Sequence, residues 1–328
     1  MRADSKPKLL AVELWALGDL ALATPFLNAA ASQFEVTLLA KPAAIELRPR
    51  FFPRAEVIPF TFPWTAFRGK YRLHRWPWNS WRALVGELRR RRFDWAVSSR
   101  WDPRDHLVLR MSGATRRAGF PRLGSGVFLT QSLVRPGPEE HRYENWRVLA
   151  KGLGLELPAV NKMAVGAGNR APILIHCGAA QPTKQWPLER FQFVAAQLRR
   201  SGHAVRIACD AHQRQWWLDR GEEVCVPGSV TELIQVLDEA RLLIGNDSGP
   251  GHLAAIMGIP TFTLFGNQTA RRFAPLHPRA EWMEGADCPY KPCYDSCRFA
   301  RPECLLSLSE NAVWPRVKDF VARNQSAS

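Results

Sequence analysis

The sequence predicts an α/β protein built from two doubly wound halves, and three observations predict it. Short apolar runs alternate with longer amphipathic or alanine-rich stretches along most of the 328 residues, the rhythm of parallel strands joined by crossover helices. That rhythm lapses over Asn161 to Pro172 (NKMAVGAGNRAP), which has few large apolar residues, and restarts at Ile173. Each half also opens on a strand that runs into a polar, glycine-containing turn, the place where open α/β sheets hold ligands. The expected layout is a first domain over 1–160, a linker over 161–172, a second domain over 173–308 and a closing helix over 309–328.

Taken in order, Lys8 to Leu14 reads as a buried strand, Trp15 to Gly18 as a turn, Asp19 to Ala31 as a helix and Phe34 to Ala40 as a second strand. Pro42 to Arg82 has no clear period and is rich in proline and aromatics. Ser80 can cap a helix running to about Arg92, and FDWAVSS, Phe93 to Ser99, is a strand. A short helix end and a loop follow over Met111 to Gly126, then a helix over Tyr143 to Leu153. In the second half, Ile173 to His176, Ala204 to Ala208, Val224 to Val226, Leu242 to Gly245 and Thr261 to Phe265 read as strands. Leu188 to Arg200, Gln213 to Asp219, Val230 to Ala240, Gly249 to Met257 and Ser309 to Arg323 read as helices.

The hydrophobic fraction of 46% and charged fraction of 23% are those of an ordinary globular protein. The net charge of +15 points to an anionic partner: nucleic acid, an anionic membrane face or a phosphorylated substrate. No stretch of about 18 uninterrupted apolar residues suggests a membrane-crossing helix. Asp4 and Glu13 interrupt the N-terminal segment where a signal peptide would be apolar. A cytoplasmic protein, peripheral on the inner face of the inner membrane, is the expectation.

Three segments carry chemistry. In LLIGNDSGPGHLAAIMGIPTFTLFG, an apolar strand ends at Gly245 and a helix starts directly after Asp247, Ser248 and Gly249. A helix N-terminus offers free N–H groups and a partial positive charge, which suits phosphate. Pro250 fits the first turn, Gly249 and Gly251 allow close approach of a ligand, and His252 lies near the same pole. The plain alternative is that Asp247 or Ser248 only caps the helix. In GAAQPTKQWPLERF, Thr183 and Lys184 can reach a phosphate, against the alternative of a surface lysine. In ALGDLALATP, Gly18 precedes Asp19, which is either a helix cap or a general base held ionised by the helix pole.

Together these segments resemble glycosyltransferase family 9, the heptosyltransferase family of lipopolysaccharide core assembly. The matching residues are Gly18-Asp19, Lys184-Gln185-Trp186-Pro187 and Asp247-Ser248-Gly249-Pro250-Gly251-His252-Leu253-Ala254-Ala255. FDWAVSS and ATRRAGF, Ala114 to Phe120, also look like family segments. The resemblance implies a GT-B fold, two Rossmann-like domains facing each other across a cleft, and an inverting, metal-independent transfer from a nucleotide sugar, ADP-heptose. It implies Asp19 as the base for the acceptor hydroxyl and Lys184, with Thr183, as the neutraliser of the leaving diphosphate. Asp247, Ser248, Gly249, Pro250, Gly251 and His252 would hold the donor, and Asp210 would contact the ribose. Gly18, Arg100, Asp102 and Arg104 are the acceptor-side candidates. No cofactor or metal is expected. The partners implied are the donor and a phosphorylated lipid-linked glycan acceptor, with an anionic membrane surface as a further candidate.

Two features sit apart from those motifs. Between Arg68 and Arg92 nine Lys/Arg accompany one acidic residue, Glu87, and tryptophans interleave them through Pro63 to Arg104. Such a stretch can bind a phosphorylated lipid–sugar or an anionic membrane, or it can be a solvated helix face with tryptophans in the core. Cys288, Cys293, Cys297 and Cys304 follow the spacing C-x4-C-x3-C-x6-C, which matches no common C-x2-C knuckle. Four thiolates could bind zinc or iron, but free thiols or partial disulfides in a structural role are the first expectation. Two rival functions remain. One is a basic nucleic-acid-binding protein, which leaves Asp247 to His252 unexplained. The other is a related enzyme acting on another nucleotide sugar, such as an epimerase.

Overall fold

The computed structural model describes residues 6–66, 72, 74, 76–160, 172–293 and 296–325. The chain divides into two compact units, 1–157 and 158–328. Of the expected linker, residues 161–171 lie outside the described residues.

The first unit is a six-stranded parallel sheet in the order β3-β2-β1-β4-β5-β6. Its strands are β1 (Lys8–Glu13), β2 (Glu35–Ala40), β3 (Glu56–Pro59), β4 (Trp95–Ser98), β5 (Arg116–Gly119) and β6 (Gln131–Ser132). The helices are α1 (Leu17–Gln33), α2 (Ala43–Phe51), α3 (Trp78–Arg91), α4 (Pro103–Met111) and α5 (Tyr143–Gly152). β1 is central because Leu9, Leu10, Ala11 and Val12 are fully buried, as a strand covered on both faces must be. On one face α1 packs against α5, with the Phe26 and Trp146 ring centroids 4.7 Å apart. A second cluster joins Leu10 and Val12 to Trp64, Trp81, Leu84, Leu88, Val108 and Leu109.

Several elements differ from the sequence expectation. α1 begins at Leu17, so Asp19 sits within the first turn. α2 and β3 occupy a stretch expected to be irregular. Pro49 lies inside α2, and β3 buries only Ile58, so neither announces itself by periodicity. α3 starts at Trp78, ahead of the expected Ser80 cap, and no side chain caps it. Val224 to Val226 reduces to a single bridge between Ala208 and Cys225.

The second unit is a five-stranded parallel sheet in the order β11-β10-β9-β7-β8. Its strands are β7 (Ile173–His176), β8 (Val205–Ala208), β9 (Leu242–Asn246), β10 (Thr261–Phe265) and β11 (Glu281–Glu284). Its helices are α6 (Leu188–Arg200), α7 (Arg214–Leu218), α8 (Val230–Asp238), α9 (Gly249–Ile256), α10 (Ala270–Phe273), α11 (Glu303–Leu306) and α12 (Glu310–Arg323). Ser309 caps α12, accepting a hydrogen bond from Ala312 N. Val313, Val317, Phe320 and Val321 of α12 pack with Phe191, Val194 and Phe262, so the closing helix is part of this unit's core. Among the described residues no helix is long and apolar enough to cross a membrane.

Each sheet reverses its direction of growth once. In the first, the chain builds β1, β2 and β3 outward, then returns to the other side of β1 with β4. In the second it builds β7 and β8, then returns to the other side of β7 with β9. At such a switch the crossover helices leave on opposite faces and open a crevice at the strands' carboxyl ends.

At the second switch β7 and β9 pass so close that a Cβ on Gly245 would meet His176 O at 2.6 Å. Because the obstacle is backbone, Gly245→Ala is expected to cost about 1–3 kcal/mol, the usual size of an overpacking penalty. A lower midpoint of chemical unfolding for the second unit would show it. An unchanged midpoint would mean that the strands separate freely there.

Candidate active site

The switch of the second sheet gathers the donor-side candidates. β9 ends at Asn246, Asp247 N donates to Leu264 O at 3.1 Å, and Ser248 is the N-cap of α9 in extended backbone. Pro250 follows in the first turn, where a missing N–H costs nothing. Asn246 ties the two turns together: its Nδ2 donates to Cys177 O at 2.9 Å, and its Oδ1 accepts from Trp186 N at 3.0 Å. Trp186 is buried and donates its indole N–H to Leu308 O at 2.7 Å. The Lys-x-Trp-Pro segment is thereby anchored at its tryptophan, with Lys184 delivered beside Asp247.

Lys184 Nζ lies 2.6 Å from Asp247 Oδ2. The lysine side chain is 23% exposed and the aspartate 5%. His252 Nε2 stands 3.9 Å from Asp247 Oδ1, too far for a hydrogen bond but close enough for charge to be felt. Thr183 Oγ1 accepts from Asn267 Nδ2 at 3.3 Å. Thr183 and Lys184 belong to the turn after β7, Asp247 and Ser248 to the turn after β9, and Gly249, Pro250, Gly251 and His252 to the start of α9. Asp210 follows β8, and its Oδ2 accepts from Ala179 N at 3.1 Å. A Cβ on Gly178 would strike that carboxylate. Asp210 thus braces the turn after β7, a contact its sequence position did not suggest.

The switch of the first sheet gathers the acceptor-side candidates. Asp19 follows Gly18 in the first turn of α1; its Oδ2 accepts from Ala16 N at 3.2 Å and its Oδ1 from Arg100 at 3.1 Å. Asp19 is therefore not the N-cap of α1, which is Ala16, but the third helical residue that accepts from that cap's N–H, and it also pairs with Arg100. The Arg100 guanidinium also lies 4.1 Å from the Trp15 ring centroid, a cation–π contact that fixes its plane. Asp102 caps α4 through Arg104 N at 3.0 Å and binds the Arg104 guanidinium at 2.9 and 2.6 Å. Burial opposes ionisation of Asp102, but those Arg104 hydrogen bonds outweigh it and hold the carboxyl below its usual range.

Beneath this pair lies a buried layer that sequence reading missed. Glu13 ends β1 with no exposed surface. It accepts from Trp15 N at 3.4 Å and Ser99 Oγ at 3.5 Å, with Arg142 at 3.9 Å. Burial, and next the charge of Asp19, push its carboxyl up to about 8 against the pull of Arg100 and Arg142. Asp105 is equally buried and is pushed up to about 7 by burial and then by Asp102. Arg142, only 4% exposed, donates to Ser99 O at 2.8 Å and Ser99 Oγ at 3.0 Å, and Asn145 donates to the same carbonyl at 2.7 Å. His106 bridges Ser125 Oγ at 2.8 Å and Arg100 O at 3.1 Å. One signal for Glu13 was visible: a carboxylate closing an otherwise apolar strand, KLLAVE. Arg142 offered none, since it meets Ser99 across 43 residues of sequence.

The tryptophan–arginine stretch divides between its two readings. Trp64 and Trp81 are buried, and Phe62, Trp64, Trp76 and Trp81 form a contiguous aromatic stack. Trp78 lies parallel to Trp81 at 5.3 Å and remains 46% exposed. On α3, Arg91 pairs with Glu56 and Glu87, and Arg89 donates to Met111 O at 3.1 Å. Residues 67–71, 73 and 75 of the stretch lie outside the described residues. The tryptophans Trp64 and Trp81 are thus core, and part of the basic charge is spent on local contacts.

Comparison with known proteins places these residues in context. The model of glycosyltransferase family 9 (heptosyltransferase) matches residues 81–301, about two thirds of the chain. Lipopolysaccharide heptosyltransferase 1 of Pseudomonas aeruginosa is 28% identical over 248 residues, covering 67% of this chain and 70% of that protein. Lipopolysaccharide heptosyltransferase 3 of Escherichia coli is 31% identical over 104 residues, 29% of this chain and 30% of that one. Among solved structures, the family 9 glycosyl transferase of Veillonella parvula superposes with a TM-score of 0.76 at 18% identity, covering 98% and 99% of the two chains. The E. coli heptosyltransferase WaaC with ADP-2-deoxy-2-fluoro heptose gives 0.73 at 17% identity, covering 97% and 99%. The fold is therefore that of the GT-B heptosyltransferases.

Glu13 gives the first unit a pH dependence of definite sign. Its folded value lies above its ordinary 4.5, so the folded state holds the proton more tightly. Its contribution to stability is full below about 4.5 and is lost as the pH rises to about 8. Asp105 acts in the same direction up to about 7. Glu13→Gln, which keeps the neutral shape, should flatten the fall of the urea midpoint across this window. An unaltered slope would show that Glu13 is ionised in the folded protein.

Proposed function

Because the chain belongs to glycosyltransferase family 9, the heptosyltransferase family, we propose that it is an inverting enzyme that moves a heptose from ADP-heptose onto a lipopolysaccharide-core or related phosphorylated glycan acceptor. The observation that carries the reading is the Lys184–Asp247 pair, 2.6 Å apart at the N-terminal pole of α9. A lysine next to a helix pole at a topological switch is suited to a diphosphate. ADP as the donor nucleotide is supported by the E. coli WaaC structure, which holds an ADP-linked fluoroheptose. The glycan acceptor is supported by the likeness to lipopolysaccharide heptosyltransferase 1 of P. aeruginosa.

The reaction is one displacement at the anomeric carbon. The acceptor hydroxyl oxygen forms the new bond as the bond from that carbon to the diphosphate oxygen breaks, and the configuration inverts. Asp19 takes the proton from the hydroxyl, and the leaving ADP takes the electron pair. Negative charge grows on the diphosphate in the transition state, and Lys184, Thr183 and the α9 pole are the groups that meet it. Ser248, Gly249 and Gly251 allow the phosphates close to the backbone, Pro250 fixes the turn, and His252 supports it. These fixed charges make a divalent cation unnecessary for the step, and added Mg2+ should not alter the rate.

Asp247 has a different role from its neighbours. A carboxylate repels a diphosphate, so Asp247 acts through Lys184, holding the ammonium in place until the donor arrives. Arg100 acts in the same indirect way on Asp19. Asp102 and Arg104 present a paired, oriented charge to the acceptor side, and Asp210 steadies the turn beside the ribose.

Asp19→Asn is the discriminating variant. It should lower the transfer rate from ADP-heptose by roughly 10²–10⁴-fold, the usual contribution of a general base, while the KM for the donor stays as it was. If the variant transfers at the original rate, or loses its fold, Asp19 only braces the start of α1 through its contact with Ala16 N.

A further inference from the structure

Between β11 and α11 the chain runs from Gly285 to Pro302 with no helix or strand among its described residues. Loops of this length without secondary structure are uncommon inside compact domains, and they need something to hold them. This one has little core of its own. Its ring contact is Tyr290 against Phe299, both largely exposed, with Arg298 over the tyrosine. Yet Cys288, Cys293 and Cys297 lie in it, Cys304 stands directly after it, and all four side chains line one pocket of about 240 Å³. All four are free thiols.

We infer that Cys288, Cys293, Cys297 and Cys304 form a tetrathiolate site for one tetrahedral, sulfur-preferring metal ion, zinc or iron, which staples this loop and braces the Thr183 side of the second unit. The donor set is the one such ions select: four thiolates, with no hard oxygen ligand required. Binding a divalent ion releases the four thiol protons and leaves the site with a net charge of two minus. Lys291, within the loop, donates from Nζ to Gly285 O at 3.2 Å. Backbone groups already orient the loop. Cys293 N donates to Asn267 O at 2.9 Å, and Ala286 N donates to Ser307 Oγ at 2.8 Å. Among the described residues no three His, Cys, Asp or Glu side chains stand at metal-binding separation. The pocket is wider than a bare ion, so the thiols must turn inward about their single side-chain torsion to close on it.

The pocket also communicates with the donor side. Asn267 lines it, and Asn267 Nδ2 is shared between Cys293 O at 3.5 Å and Thr183 Oγ1 at 3.3 Å. Gln268 Nε2 donates to the same Cys293 carbonyl at 2.7 Å. A metal that fixes Cys293 therefore fixes the partner of Thr183. This second consequence, unlike the metal site itself, rests on the proposed donor role of Thr183.

The test begins with the whole protein purified under reducing conditions. Elemental analysis should find about one zinc or iron per chain, and it tells the two apart. Metal-free protein titrated with Co2+ alone should saturate at one equivalent with a thiolate-to-cobalt charge-transfer band that Zn2+ removes. Cys293→Ser and Cys304→Ser should lose that band, and Cys225→Ser, outside the loop, should keep it. No band at saturating Co2+, a band that survives Cys293→Ser, or two disulfides in place of four thiols would each overturn the site. Removing the metal should also weaken ADP binding. If Co2+ binds as described but ADP affinity is indifferent to it, the site stands and its coupling to Thr183 does not.

Discussion

The constraint from which the site follows is the single reversal of growth in each sheet. Parallel strands joined by right-handed crossovers must carry successive helices to one face until the chain returns to the middle. β1 and β7 are the strands at which that return happens. At their carboxyl ends the crossover helices part to opposite faces of the sheet. In the first unit the residues at those ends are Glu13, Asp19, Ser99 and Arg100, with Glu13 and Ser99 fully buried. In the second they are Cys177, Lys184, Asn246 and Asp247. The residues assigned to the proposed reaction thus gather at two places that topology alone singles out.

The two switches use charge differently. In the second unit, Lys184 and Asp247 form a mostly buried ion pair, which contributes little net stability once its desolvation is counted. Its value lies in exchange. On the proposed reading, an arriving diphosphate takes the ammonium over from Asp247, so that it is never left alone in a poorly solvated place. In the first unit, Arg100 and Arg142 are fixed cations set among Asp19, Glu13 and Asp105. Glu13 and Asp105 are both fully buried, and burial is the largest cause that keeps each neutral. A neutral Glu13 leaves Arg100 to its ion pair with Asp19. Lys41 is drawn into the same balance: burial lowers its usual value while Asp19 and Glu13 raise it.

What the sequence disclosed and what it hid divide along physical lines. The turns after β1, β7 and β9 were legible because apolar runs stop abruptly at glycine and charge, and α6 and β10 were legible because their apolar period is unbroken. Features that depend on distant partners were hidden. Arg142 reads as an ordinary surface residue until Ser99 is placed beside it, and Glu13 reads as a mere interruption. α2 and β3 were hidden by Pro49 and by the shallow burial of β3. The tryptophan-rich stretch was ambiguous for a different reason: tryptophan serves equally at an interface and in a core. Only burial separates Trp64 and Trp81 from the exposed Trp78. The four cysteines were visible as a cluster, but their odd spacing hid the fact that they share one pocket.

The central claim is that the turn bearing Asp247, with Lys184, holds the diphosphate of the donor. Calorimetric titration of the full chain with ADP and AMP, at fixed salt and without divalent cations, tests it most directly. One ADP per chain is expected, bound at least about tenfold more tightly than AMP, because a charge-assisted contact to the second phosphate is worth about 1.5–3 kcal/mol. Equal affinity for the two nucleotides, or no binding of either, would contradict the account.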